Sequence, residues 1–198
     1  TGEPFEHEGR RIHVTPAPVT PGGPRVAWGG GSVAAAKRAG RHGLDFFAQG
    51  GDPSLVEVYE AEARAHGHEP GMCVIPPLDT ATTVFVAADA DGVDAAWDEI
   101  GAHLLHDAVS YASINEGNTH TASISRAASL EELRAEDRSH RIVTVDQAVE
   151  LIRTEGILQL QPLCGGLPPE VAWRYLRTVT DEVMPRVSEA SSSPSPEA

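Results

Sequence analysis

Glycine-rich corners carry most of the chemistry available to this sequence. Gly29, Gly30 and Gly31 stand directly before Ser32 in WGGGSVAAAK. A glycine corner between a strand and a helix lets the backbone come close to a ligand, and the first helical turn points amides without intrahelical partners towards it. Such a corner suits a phosphate, with the amides of Gly30, Gly31, Ser32 and Val33 and the Ser32 hydroxyl as candidate donors. The same residues also make a tight turn followed by an ordinary serine N-cap, and the pattern alone leaves both readings open.

Two further corners and the histidines complete the set. Gly50, Gly51 and Asp52 follow the next apolar run, where Asp52 reads first as a helix cap. Cys164, Gly165 and Gly166 follow a later run, and a solitary cysteine there reads first as a small buried hydrophobe. His103 and His106, with Asp107 beside them, have a helical spacing that can hold a metal or pair a histidine with a carboxylate. They fall on a helix expected to cover the outside of the sheet, so no metal is expected. His120 sits in a polar excursion and could reach over a site as a lid group, although a surface position is the simpler reading. The acidic stretches Glu57 to Glu62 and Glu131 to Asp137 read as solvated helix faces. Serine-hydrolase elbows, Walker loops and H-E-x-x-H motifs are absent.

The elements that position these corners alternate. Residues 1 to 24 are rich in Pro and Gly, with a short alternating piece near Arg11 to Val14, and read as a connector. Strands are predicted at Arg25 to Trp28, Leu44 to Gln49, Thr82 to Ala88 and Ile157 to Leu163. Helices are predicted from Ser32 to Gly43, after Asp52 and Pro53, from about Gly92 to Ala112, over LEELRAE, after Thr144, and from about Pro168 to Val183. Four strands alternating with helices predict parallel β/α units with right-handed crossovers. The predicted organisation is one domain over 1–187 and a disordered tail over 188–198.

Composition narrows the partners. The chain has 198 residues, 40% of them hydrophobic, enough for one substantial core. Fifteen Lys and Arg against 29 Asp and Glu give a net charge of −14, which disfavours nucleic acid and anionic membrane surfaces. Two distant cysteines make no disulfide framework, no signal peptide is visible, and the expected location is the cytoplasm.

The passage TGEPFEHEGRRIHVTPAPVTPGGPRVAWGGGS resembles the middle of luciferase-like flavin-dependent oxidoreductases, where it leads into the fifth strand of the barrel. The similarity runs on through LDFFAQGGDPSLVEVYEAEARAHG, TTVFVAAD, HRIVTVDQAVELI and LQLQPLCGGLPPEVAWRYLRTVTDEVMP. The resemblance implies the C-terminal half of a (β/α)8 TIM barrel, strands five to eight. A whole barrel takes about 250 residues, so a fragment is expected. It further implies binding of the phosphate of FMN, or of a deazaflavin coenzyme, at Gly30, Gly31, Ser32 and Val33. It implies a small organic substrate oxidised or oxygenated with reduced flavin and oxygen, and a homodimer in the full-length form. Hydride transfer with a deazaflavin is the alternative, and no catalytic residue carries over. Two other readings stay open: a non-enzymatic half-barrel that pairs through its sheet edges, and a different α/β fold whose GGGS turn takes a sugar phosphate.

Overall fold

The computed structural model describes residues 2–48, 50–117 and 121–192. Its contacts divide the chain into two compact units, Thr1–Ala48 with Asp52–Ile75, and Gln49–Gly51 with Pro76–Ala198.

The first unit opens with a hairpin of β1 (Phe5–His7) and β2 (Arg10–Ile12), paired antiparallel with His7 opposite Arg10. Glu8 and Gly9, both at positive φ (50° and 72°), form the two-residue turn that matches the twist of antiparallel strands. The stretch expected to be a plain connector therefore contains a hairpin. Next come β3 (Ala27–Gly29), α1 (Val33–Arg41), β4 (Asp45–Phe47), α2 (Ser54–Ala65) and β5 (Cys73–Val74). The strands pair in parallel in the order β3-β4-β5, with Trp28 beside Phe46 and Phe47 beside Val74. Small residues Ala35, Ala36 and Ala39 on one face of α1 let the helix lie close over Phe46, Leu55 and Tyr59, all buried. Burying side chains the size of Phe46 and Leu55 contributes about 1.5–3 kcal/mol each.

A polar brace ties the starting ends of these strands. Asp45 Oδ1 accepts from Arg25 Nη2 at 3.0 Å and from the Met72 amide at 2.8 Å, and Oδ2 meets Arg25 Nε. Tyr59 donates its hydroxyl proton to Leu44 O (3.0 Å) and accepts from the Gly71 amide (2.8 Å). The Arg25 hydrogen bond holds the Asp45 carboxyl below the usual aspartate range, with the Met72 amide adding to the effect. With one end of the sheet fastened this way, the other is free to carry the glycine corner.

The second unit contains β6 (Thr83–Ala87), α3 (Ala90–Ile114), α4 (Leu130–Glu136), β7 (His140–Thr144), α5 (Val145–Glu155), a 3₁₀ turn (Cys164–Gly166), α6 (Pro169–Thr178), a π-helical turn (Val179–Val183) and α7 (Met184–Ser192). Caps fix the helix starts: Asp89 accepts from Gly92 N, Ser129 from Glu132 N, and Thr144 forms a capping box with Gln147. Strands β6 and β7 pair in parallel along five residues, Thr83 beside His140 through Ala87 beside Thr144. Every residue of β6 is buried, as a strand covered on both faces must be. One face packs on Trp97, Ile100, Leu104 and Leu133, the other on Val145, Ala148, Val149, Val179 and Val183.

The strand predicted at Ile157–Leu163 is corrected. The segment makes one backbone hydrogen bond to β6, Val84 N to Gln159 O (2.9 Å), and Gln161 Nε2 donates to Thr82 O just before the strand (3.0 Å). No ladder continues, because Gln161 O is taken by the Cys164 amide and Pro162 has no N–H to donate. The partner of β6 is β7, which was not predicted. The four expected strands thus become five short parallel ones in two sheets, with no closed barrel among the described residues. The last helix reaches Ser192, inside the expected tail, and 193–198 lie outside the described residues. No helix among the described residues is long and apolar enough to cross a membrane.

Candidate functional site

In the first unit the chain leaves β3 at Gly29 and enters α1 through Ser32. Gly30 makes the bend with φ 147°, and a Cβ there would stand 2.8 Å from the Ala35 Cβ. Both its conformation and its surroundings call for glycine. Its amide donates to Phe47 O at 3.1 Å, which ends the β3–β4 ladder. Gly30 therefore supplies the bend and not a free donor.

Ser32 is extended (φ −121°, ψ 155°), and its Oγ accepts from the Ala35 amide at 3.2 Å while its carbonyl takes Ala35 and Ala36. It is an N-cap, as one reading of the sequence required. The cap uses a hydroxyl lone pair and leaves the O–H proton as a donor. Among the described residues no acceptor takes the amides of Gly31, Ser32 or Val33, and residues 31–34 are exposed. The first turn of α1 has no acidic residue to compete with an anion. The corner therefore presents three amides and a hydroxyl at the positive end of a nine-residue helix, which is what a phosphate needs.

At the next corner, Asp52 Oδ1 accepts from the Ser54 amide (3.0 Å) and hydroxyl (2.7 Å), which turns the chain into α2, whose N-cap position is Pro53 rather than the expected Asp52. His120 lies outside the described residues.

The second unit gathers a different set. Asp107, from α3, meets His140, the first residue of β7, with Oδ2 to Nε2 at 3.1 Å. Ser139 Oγ lies 3.0 Å from the other ring nitrogen of His140. Cys164 completes the group: one ligand-capable atom from each of Asp107, His140 and Cys164 lies within 4.8 Å of the others. His140 and Cys164 are buried. Burial, together with the charge and hydrogen bond of Asp107, pushes the Cys164 thiol up to about 12. Cys164 is thus buried as expected, but beside a carboxylate and not in a purely apolar pocket.

The helical spacing of His103, His106 and Asp107 does not bring these three together. His103 Nδ1 lies 3.0 Å from Gly165 O, and His106 is exposed. Gly165 has φ 57°, and a Cβ on it would fall 1.9 Å from His103 O. Gly165 therefore serves close packing on the backbone of α3.

Residues 1–157, which include the β3–α1 corner and both parallel sheets, match the luciferase-like monooxygenases. The chain belongs to the luciferase-like monooxygenase family. Its members are flavin-dependent oxidoreductases that work with reduced flavin or deazaflavin. Among curated proteins no sequence matches the chain. The mixed α/β architecture with parallel strands agrees with the family.

Proposed function

We propose that this protein is an FMN-dependent oxidoreductase or monooxygenase acting on a small organic substrate. Gly31, Ser32 and Val33 hold the FMN phosphate, and Gly30 shapes the bend that exposes their amides. The observation that carries the reading is the exposed, acid-free first turn of α1 at the end of a parallel strand in a chain of this family. Reduced flavin bound there supplies electrons to oxygen or hydride to a substrate. The chain's own contribution is to fix the phosphate by backbone dipoles. A chain with a net charge of −14 gains an anion site in this way without a cationic side chain. We propose further that the strands belong to the later part of a (β/α)8 barrel and that catalytic groups come from the earlier part.

The test is a titration of the chain with FMN, riboflavin and a phosphate-bearing deazaflavin, followed by fluorescence, with inorganic phosphate as competitor. FMN should bind more tightly than riboflavin, and phosphate should displace it. Riboflavin binding as tightly as FMN would remove the phosphate assignment. A clear preference for the deazaflavin would move the reaction to hydride transfer.

A further inference from the structure

We propose that Asp107, His140 and Cys164 form a Zn²⁺ site with three protein ligands, unrelated to the flavin corner. Each comes from a different element: a carboxylate from α3, an imidazole from the start of β7 and a thiol from the turn before α6. A mixed oxygen, nitrogen and sulfur set of this kind is characteristic of zinc, whose bonds to such atoms are about 2.0–2.3 Å. A tetrahedron with those bonds has edges of roughly 3.3–3.7 Å. The Asp107 Oδ2 to His140 Nε2 separation is 3.1 Å, and the whole set lies within 4.8 Å, so closure on an ion takes side-chain movement of about an ångström or less.

The surroundings support coordination. A zinc-bound histidine commonly donates its second ring N–H to an oxygen, which fixes the tautomer. Ser139 Oγ stands at that nitrogen, 3.0 Å away, and leaves Nε2 for the metal. The thiol and imidazole are buried, whereas the Asp107 side chain is 34% exposed. Asp107 thus marks the open side, where an ion enters and a water takes the fourth position. On binding, the Cys164 S–H bond breaks, a sulfur–zinc bond forms and the proton goes to solvent. His140 coordinates through Nε2 with its ring proton on Nδ1, any proton on Nε2 also passing to solvent, and no electron is transferred. One carboxylate and one thiolate balance the double charge of the ion. The site fastens α3, β7 and the turn to one another, so zinc raises the stability of the fold.

The experiment uses the full chain, freed of metal with a chelator and titrated with Co²⁺ as a spectroscopic substitute and then Zn²⁺. One equivalent of Co²⁺ should give thiolate-to-cobalt charge-transfer absorption in the near ultraviolet and the strong visible bands of tetrahedral cobalt, and Zn²⁺ should abolish both. Cys164→Ala should remove the charge-transfer band, and Cys73→Ala should keep it. Ser139→Ala, which touches no metal, should weaken affinity by about 10–100-fold while keeping the tetrahedral spectrum. Asp107→Asn gives a second test should Cys164→Ala fail to fold: its affinity should fall while the sulfur band persists. Absence of the charge-transfer band in the folded parent, or its survival in Cys164→Ala, overturns the proposal and leaves the three side chains as a hydrogen-bonded network.

Discussion

Replacing Ser32 by aspartate separates the two roles that this residue combines. Asp caps a helix about as well as Ser, and its charge gains about 0.3–1 kcal/mol from the helix dipole. Ser32 Oγ now accepts from Ala35 N at 3.2 Å, and an aspartate oxygen can do the same, so the free protein should be as stable as the parent or slightly more so. A phosphate on the amides of Gly31 to Val33 would lie about 4 Å from the new carboxylate, where two unit charges repel by about 1 kcal/mol in a water-like medium. Since residues 31–34 are exposed, that figure is the appropriate one and sets a floor. A phosphate monoester carries about 1.5–2 charges at neutral pH, so the penalty is about 1.5–2 kcal/mol. This corresponds to a rise of about 10–30-fold in the FMN dissociation constant. Fluorescence titration at low salt measures it, with riboflavin as the ligand whose affinity should not move. Unchanged FMN affinity in a folded Ser32→Asp protein, or an equal loss for riboflavin, would refute the phosphate role and leave Ser32 as a cap alone.

Other perturbations have outcomes set by the structure. Gly30→Ala forces a Cβ into a backbone at φ 147° and against Ala35, and urea unfolding should show a loss of about 1–3 kcal/mol. Asp45 has a lowered native pKa, so its stabilisation is complete above the ordinary aspartate value of about 3.9 and fades as pH falls through the lower native value. Acid unfolding of Asp45→Asn should therefore show a shallower dependence on pH in that window than the parent. Thr144→Ala removes the side-chain half of the α5 capping box, leaving the backbone donor to Gln147, and should lower stability by about 1 kcal/mol in thermal unfolding. A thiol reagent applied to the metal-free native protein near pH 8 should label Cys73 before Cys164, whose thiol is fully protonated there, and equal rates would contradict the burial described.

Helices were the most legible part of the sequence, because their starts carry caps that need no tertiary information. Ser32, Asp89, Ser129 and Thr144 all accept from amides of the first turn. Strands were less legible. HRIVT hides a five-residue strand because His140 and Arg141 break the apolar pattern. Their polar atoms are satisfied by Ser139 and Asp107 and by Asp137, contacts that only the fold creates. ILQLQPL shows the opposite error, since its alternation looks like a strand but Gln161 and Pro162 turn the chain away. The two-residue β5 is too short to leave any periodic signal. For the sites, glycines before a capping serine marked the β3–α1 corner locally. Asp107 and His140 are 33 residues apart and meet only across the packing of α3 on β7, so no spacing could have joined them.

The π-helical turn at Val179–Val183 acts as a splice between two interiors. Val171, Ala172 and Tyr175 belong to the core built on Trp97 and Leu104, whereas Val179, Val183 and Val187 belong to the one built on Val143 and Val149. Apolar residues four apart on an ordinary α-helix drift around the axis by about 40° per step. The wider turn, closed by an i to i+5 hydrogen bond, offsets that drift. Deleting one residue between 179 and 183 would turn everything beyond it by about 100°. Val183 and Val187 would then face water, and the C-terminal helix would lose its seat while the β3–α1 corner, in the other unit, kept its own packing.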